Sequence, residues 1–302
     1  MRDLLLEGLP VVDLLEVMPS TSQVARLLNC DQSSVSRTYR YVSDELALDL
    51  KKGVDGCYSA ANNQKLLHQL RIASQQLRLV DLAPMRVVTS YWNHSFLLNL
   101  NDATVMPQSW LGVQRSLGLL RSRVIDMVVC NGFEFLPDDW IYSNGYWECG
   151  DLIAFELHRY PVELACHPGH PLFNVNTLTG REFWSYPSVA LPNELFPRKS
   201  EALIARGLWQ DLVQIKRHSW KNWEGLSRDR KHLVYTNSLR RRVMPNDIAI
   251  KVLPFELGIV DVDVVVVVKP FASLEPVQAL CKIIKKLYGD QMIPGEANAQ
   301  FS

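Results

Sequence analysis

The sequence has no excess of either charge, 32 Lys and Arg against 32 Asp and Glu over 302 residues, so bulk attraction does not hold it to a polyanion or an acidic membrane. It also lacks an apolar run long enough to span a bilayer. The densest run, residues 264–268, is short and β-branched and reads as a buried strand. The opening Met1-Arg2-Asp3-Leu4-Leu5-Leu6-Glu7 carries acids where a secretory signal would be apolar. Six cysteines lie scattered without disulfide spacing, which predicts reduced thiols in a cytoplasmic protein. There is no Gly-x-Ser-x-Gly elbow, Walker loop or dinucleotide glycine pattern, and Asp138 and Asp139 follow Pro137 in what reads as a surface turn. No catalytic residue is therefore assigned, no enzyme is expected and no cofactor is implied. His167 and His170, beside Cys166, read as a turn rather than a metal site, because no second ligand pair has a defined spacing. With 47% hydrophobic residues, the chain can still bury a sizeable core in two or three folding units.

What is present is concentrated near the start. Residues 20–37 read as two short helices joined by a tight polar turn, a helix-turn-helix. Ser20 and Gln23 have the spacing of a capping box, and Asp31 is placed to cap the second helix. Val24, Leu27 and Leu28 make one apolar face; Val35, Tyr39, Val42 and Leu46 make the facing one. Ser33, Arg37 and Arg40 are left pointing outward with Ser36 and Tyr41 at the flanks, side chains of the kind that reach base edges and phosphates in a major groove. Gln32 and Ser34, at the same helix start, complete the expected reading set. A Gly-x-Asp-Gly centre within residues 51–58 suits a small hairpin wing whose Lys51 and Lys52 meet phosphates, although exposed lysines are ordinary on any hairpin. Because the chain is neutral, DNA affinity must come from local placement of Arg37, Arg40, Lys51 and Lys52, with Asp3, Glu7, Asp13 and Glu16 expected on the far side.

This stretch resembles the LysR-type transcriptional regulators. Gln32, Val35, Ser36 and Arg37 reproduce the family's Gln-x-x-Val-Ser-Arg core, and Asp44-Glu45-Leu46 follows at the acidic-acidic-Leu position. Tyr58-Ser59-Ala60-Ala61-Asn62 departs from the usual Leu-Thr-x-Ala-Gly, and Asp31 replaces a Ser. Three later pieces carry a looser likeness: residues 119–129, the His-Pro-Gly-His-Pro-Leu turn at 167–172, and the strand-to-helix junction at 232–239. The resemblance implies a winged helix-turn-helix, a linker helix and a two-subdomain α/β body of the periplasmic-binding-protein (type 2) kind, crossed twice by the backbone and holding an inducer between its halves.

The residues themselves point the same way. From 62 to 80, Leu66, Leu70, Ala73, Leu77 and Val80 are spaced four, three, four and three, a heptad seam that predicts dimerisation. Pro84 ends that helix, and strand and helix patterns then alternate, with later strands expected at 160–167, 188–191, 213–218, 233–236 and 262–268 and helices near 198–206, 222–228 and 274–288, which predicts sheets covered by helices with ligands at the carboxyl ends of strands. Together with the resemblance, this implies domains at 1–61 for DNA, 62–83 as linker, and 84–302 for an effector, the last divided into about 84–160 with 266–302, and 161–265. Ser90, Asn93, Gln108, Ser109, Asn131 and Thr236, with Gly132 and Asn237 beside them, fall at strand ends and helix starts and offer neutral donors to a small molecule. Tyr91, Trp92 and Trp220 would be apolar walls or ordinary core aromatics. The basic run Arg240-Arg241-Arg242 reads first as a solvated helix face. The expected partners are a pseudo-palindromic DNA duplex, a metabolite and further copies of the chain as homodimer or homotetramer, with no membrane. Two alternatives stay open: a body that is only an oligomerisation scaffold, and an α/β enzyme under a regulatory head.

Overall fold

The structure, a computed structural model, describes residues 3–53, 56–80, 83–90, 93–98, 100–101, 103–106, 113–135, 140–143, 145–178, 180–189, 196–208, 210–211, 231–244 and 249–290. The Asp3 carboxylate accepts from the Leu5 and Leu6 N–H groups at 2.9 Å each and starts a wide helical turn that runs into α1 (Leu9–Val17). Leu9, Val11, Val12, Leu14, Leu15 and Val17 are all buried, so α1 is apolar nearly all round and forms the centre of the head. Against it pack α2 (Thr21–Leu27) and α3 (Gln32–Glu45), through Val24 and Ala25 on one and Val35 and Val42 on the other. Strands β1 (Leu50–Lys52) and β2 (Tyr58–Ala60) pair antiparallel, Lys51 opposite Ser59, and make the expected wing. Its turn needs Gly56: φ is +82°, and a Cβ there would lie 2.9 Å from the Pro19 Cβ.

Two capping expectations are corrected. Ser20 Oγ accepts from the Ser22 N–H at 3.2 Å, but Gln23 Oε1 is buried without a partner among the described residues, so the capping box is not reciprocal. Asp31 makes no side-chain cap; its backbone carbonyl takes the Ser34 and Val35 N–H groups instead. The helix predicted from residue 62 starts at Gln64 as α4 (Gln64–Leu79), because Asn63 is left-handed (φ 51°) and its amide donates to the Leu46 carbonyl at 2.9 Å. That bond ties the start of α4 to the end of α3.

The rest of the chain alternates as expected: β3 (Met85–Thr89), α5 (His94–Leu97), β4 (Ala103–Val105), α6 (Val113–Arg121), β5 (Met127–Asn131), α7 (Gly132–Phe135), β6 (Ile141–Ser143), β7 (Tyr146–Cys149) and β8 (Leu152–Cys166). Then follow α8 (Gly180–Phe183), β9 (Ser188–Val189), α9 (Pro197–Ala205), β10 (Gln210–Asp211), β11 (Val234–Thr236), α10 (Ser238–Val243), β12 (Lys251–Val268) and α11 (Glu275–Asp290). The chain forms two compact units: Met1–Val129 with Glu148–Ala154 and Val265–Ile283, and Cys130–Trp147 with Phe155–Val264 and Ile284–Ser302. Both β8 and β12 begin in one unit and end in the other.

In the first unit β3 pairs in parallel with β4 and with β5, Val88 opposite Val128, and every residue of β3 is buried. Such a strand must be covered on both faces. In the second unit β11 pairs antiparallel with β8, Tyr235 opposite Leu164. The strands expected at 160–167 and 262–268 are the ends of longer ones, of 15 and 18 residues, whose Pro161, Pro254 and Gly258 break the hydrophobic pattern without ending the strand. The strand expected at 213–218 and the helix at 222–228 lie outside the described residues, as do Tyr91, Trp92, Gln108, Ser109, Asp138, Asp139 and Trp220. Among the described residues, no helix is long and apolar enough to cross a membrane.

Candidate nucleic-acid interface and effector region

Gln32, Ser33, Arg37, Arg40 and Tyr41 are exposed on α3 with Ser34 and Ser36 half-buried beside them, while Val35, Thr38 and Val42 turn inward. Gln32 donates to Thr21 Oγ1 at 2.9 Å, holding the start of α3 to the start of α2. Arg37 lies along its own helix, Nη2 donating to Ser34 Oγ at 3.3 Å and Nε to the Ser33 carbonyl at 3.4 Å. These are long, exposed contacts that a phosphate or guanine edge displaces at little cost. A link between α3 and the wing escaped the sequence reading. The Tyr39 and Tyr58 rings meet at 5.4 Å, Arg40 stands over Tyr39 at 5.8 Å, and Lys52 over Tyr58 at 5.9 Å. Burial and the neighbouring Tyr39 raise the Tyr58 hydroxyl, which stays a neutral donor. Arg40, two rings and Lys52 thus form one cationic strip from the helix to the wing. Lys51 is paired with Asp49 at 2.9 Å, but both are well exposed and such a pair is readily exchanged for a phosphate.

Asp13 and Glu16 correct an expectation, for they are not surface acids on the far side of the head. Asp13 is fully buried and accepts from Arg71 Nε at 2.8 Å and Arg86 Nη1 at 2.7 Å; Glu16 takes the other edge of Arg71. One helical face further on, Asp126 accepts from Arg78 Nε at 2.7 Å, Gln75 at 2.9 Å and the Arg86 backbone N–H at 2.8 Å. Burial works against the Arg71 cation, yet Asp13 and Glu16 outweigh it and hold its pKa above the ordinary value. Arg86 is lowered by burial and by Arg78 despite Asp13. This network joins α1, α4, β3 and the approach to β5. It was legible only as the row Arg71, Gln75, Arg78 at helical spacing, opposite the leucine seam.

The seam itself divides. Leu66 is 44% exposed and Val80 62%, and Ala73 is open, whereas Leu70 packs against the head core and Leu77 is half-buried.

Of the proposed effector residues, Ser90 follows β3 and Asn93 starts α5 in the first unit; Asn131 ends β5 and Thr236 ends β11 in the second. Asn93, Asn131 and Thr236 are buried. Asn93 Nδ2 and Asn131 Oδ1 have no hydrogen-bond partner among the described residues, a cost of about 1–3 kcal/mol each unless a ligand supplies one. Thr236 does not cap the following helix; Asn237 does, accepting from the Arg240 N–H at 2.8 Å.

The sequence reading missed the charged groups of the second unit. Glu134 accepts from the Arg198 and Lys199 N–H groups at the start of α9, Lys199 Nζ meets Asp261 at 2.6 Å, and Asn237 donates to Asp261 at 3.2 Å. Burial raises Glu134 despite Lys199. Asp263, two residues on, accepts from the Tyr160 and Tyr288 hydroxyls, and burial pushes it up to about 6. The signal available was Asp261 and Asp263 on one face of an otherwise β-branched strand.

The basic run is also corrected. Arg240 is buried and donates to the Tyr235 carbonyl, and Arg241 pairs with Glu163 at 2.9 Å, because α10 lays this side against β8 and β11. His170 donates through Nε2 to the Lys231 carbonyl while Nδ1 accepts from Leu172, and His167 bonds the Ala249 carbonyl, so both rings brace the turn.

No family model matches the chain, and no curated protein matches it by sequence. Solved structures do. A variant of full-length OxyR from Pseudomonas aeruginosa superposes with TM-score 0.58 at 12% identity over 95% of each chain. A Corynebacterium glutamicum OxyR variant with hydrogen peroxide bound gives 0.55 at 12%, over 96% of this chain and 94% of that one. A probable transcriptional regulator from Pseudomonas aeruginosa gives 0.53 at 15%, over 95% and 97%. The chain has the fold of the LysR-type regulators: a winged helix-turn-helix, a linker helix and an α/β body of the periplasmic-binding-protein kind.

Proposed function

We propose that this chain is a LysR-type, sequence-specific transcriptional regulator. It reads DNA through Gln32, Ser33, Ser34, Ser36, Arg37 and Arg40, with Lys51 and Lys52 on phosphates, and pairs through the open residues of α4. A small molecule held by Ser90, Asn93, Gln108, Ser109, Asn131 and Thr236 biases one arrangement of the body over another and so shifts the DNA-bound population. The observation that carries the reading is the exposed polar row on α3, continued to the wing by Arg40, Tyr39, Tyr58 and Lys52. Two copies related by a two-fold axis would place two such surfaces on successive half-sites.

The buried amide atoms of Asn93 and Asn131, which have no partner among the described residues, favour a ligand over a mere scaffold. Raised carboxyls are also what an enzyme would need. Here they are already engaged: Asp263 by two tyrosines, Glu134 by the start of α9.

Selection of bound sequences from a random duplex pool tests the DNA reading: a pseudo-palindrome should emerge, and a pool without enrichment would refute it. A metabolite screen by thermal shift tests the effector, since a ligand at one hundred times its Kd stabilises by about 2.7 kcal/mol.

A further inference from the structure

A half-open cavity of about 340 Å³ lies within the first unit, and neither the DNA surface nor the effector residues use it. Leu5 and Leu28 reach it from the head, Leu77 from α4 and Met106 from beyond β4, and two guanidinium groups, Arg78 and Arg86, interrupt the apolar wall. Arg78 is fully engaged, by Asp126, Ser74 and the Arg123 carbonyl. Arg86 is not. Its Nη1 donates to Asp13 and to the Val124 carbonyl, but its Nε and Nη2 bond no described residue. Neither atom is sealed in the interior, although the residue is only 7% exposed, so this edge of the cation opens onto the cavity it lines. A buried guanidinium with one edge that meets no described residue offers a bidentate site for a carboxylate, and the surrounding wall suits an alkyl chain.

We propose that this cavity is a second ligand site, which takes a medium-chain acyl carboxylate with its carboxylate on Arg86 Nε and Nη2 and its chain among the leucines and Met106. A carboxylate there offsets the repulsion between Arg86 and Arg78. Because the walls come from the head, the linker helix and the body, any difference in ligand affinity between head positions appears equally in DNA affinity.

Calorimetric titration of the full chain tests this with decanoate, decanol and acetate as probes. Decanoate should bind once per chain, about tenfold or more tighter than decanol, which lacks the charge, and than acetate, which lacks the chain. Arg86→Met removes the anchor but also unpairs part of Asp13 and risks the fold. Leu28→Trp, at a residue 37% exposed, fills the cavity instead and should weaken decanoate about tenfold or more. Ser90→Ala with Thr236→Val should leave decanoate binding unchanged. Absence of decanoate binding, binding indifferent to Leu28→Trp, acetate or decanol binding as tight as decanoate, or loss in the Ser90/Thr236 double variant would each overturn the proposal.

Discussion

Asp263 carries a carboxyl whose pKa burial pushes up to about 6 from an ordinary 3.8. Between those values the folded chain binds more protons at this residue than the unfolded chain, so its contribution makes stability fall as pH rises from about 4 to 6. Asp263→Asn keeps an acceptor for the Tyr160 and Tyr288 hydroxyls and removes the buried charge. It should flatten the stability profile over that window and raise stability at pH 7 by about 3 kcal/mol, read by urea unfolding across pH. An unaltered slope would show that another group titrates there. Replacing Asp13 should destabilise instead. Asp13→Ala leaves Arg86 buried with only a carbonyl partner and should cost about 3–5 kcal/mol, again by urea unfolding. The outward row on α3 was legible in the sequence because Val35 and Val42 fix the inward side, although the polar Thr38 turns in with them and Tyr39, expected there, is only half-buried. Asp13 was not legible: one acid in a short helix looks like any surface acid until Arg71 and Arg86, far along the chain, arrive beside it.

On the scale of elements, α4 serves two faces at once. Leu67, Arg71, Ser74, Gln75 and Arg78 are buried in their own chain, while Leu66, Ala73 and Val80 stand open. A heptad count finds the seam but cannot tell that Leu70 belongs partly to the head core. If the chain pairs through this face as proposed, Leu66→Asp and Val80→Asp should dissociate the pair in sedimentation velocity without lowering the unfolding midpoint, whereas Leu70→Asp should lower it as well. An unchanged sedimentation coefficient for both exposed variants would place self-association elsewhere. The strand ends Ser90 and Thr236 were found because β-patterns stop at them. The charged groups Glu134, Lys199 and Asp261 were hidden, since their partnership depends on chain crossings that no local pattern records. Ser90→Ala with Thr236→Val should abolish the response to an identified effector, each hydroxyl being worth about 0.5–1.5 kcal/mol by titration calorimetry, while DNA binding persists. Equal effector affinity in the double variant would move the site.

For the whole molecule, neutrality is the constraint that the proposed DNA binding has to meet. With 32 charges of each sign, specific contact has to come from a few placed cations rather than a basic surface. Arg37 is the most diagnostic of them, because it is exposed, flanked by Ser33 and Ser34, and bears no packing load. The direct test is a binding titration at fixed salt of the parent and Arg37→Ala on the selected duplex and on a scrambled one. Arg37→Ala should lose about 1–3 kcal/mol on the selected site and change little on the scrambled duplex, with oligomeric state intact. Equal loss on both duplexes, or none on either, would contradict this expectation.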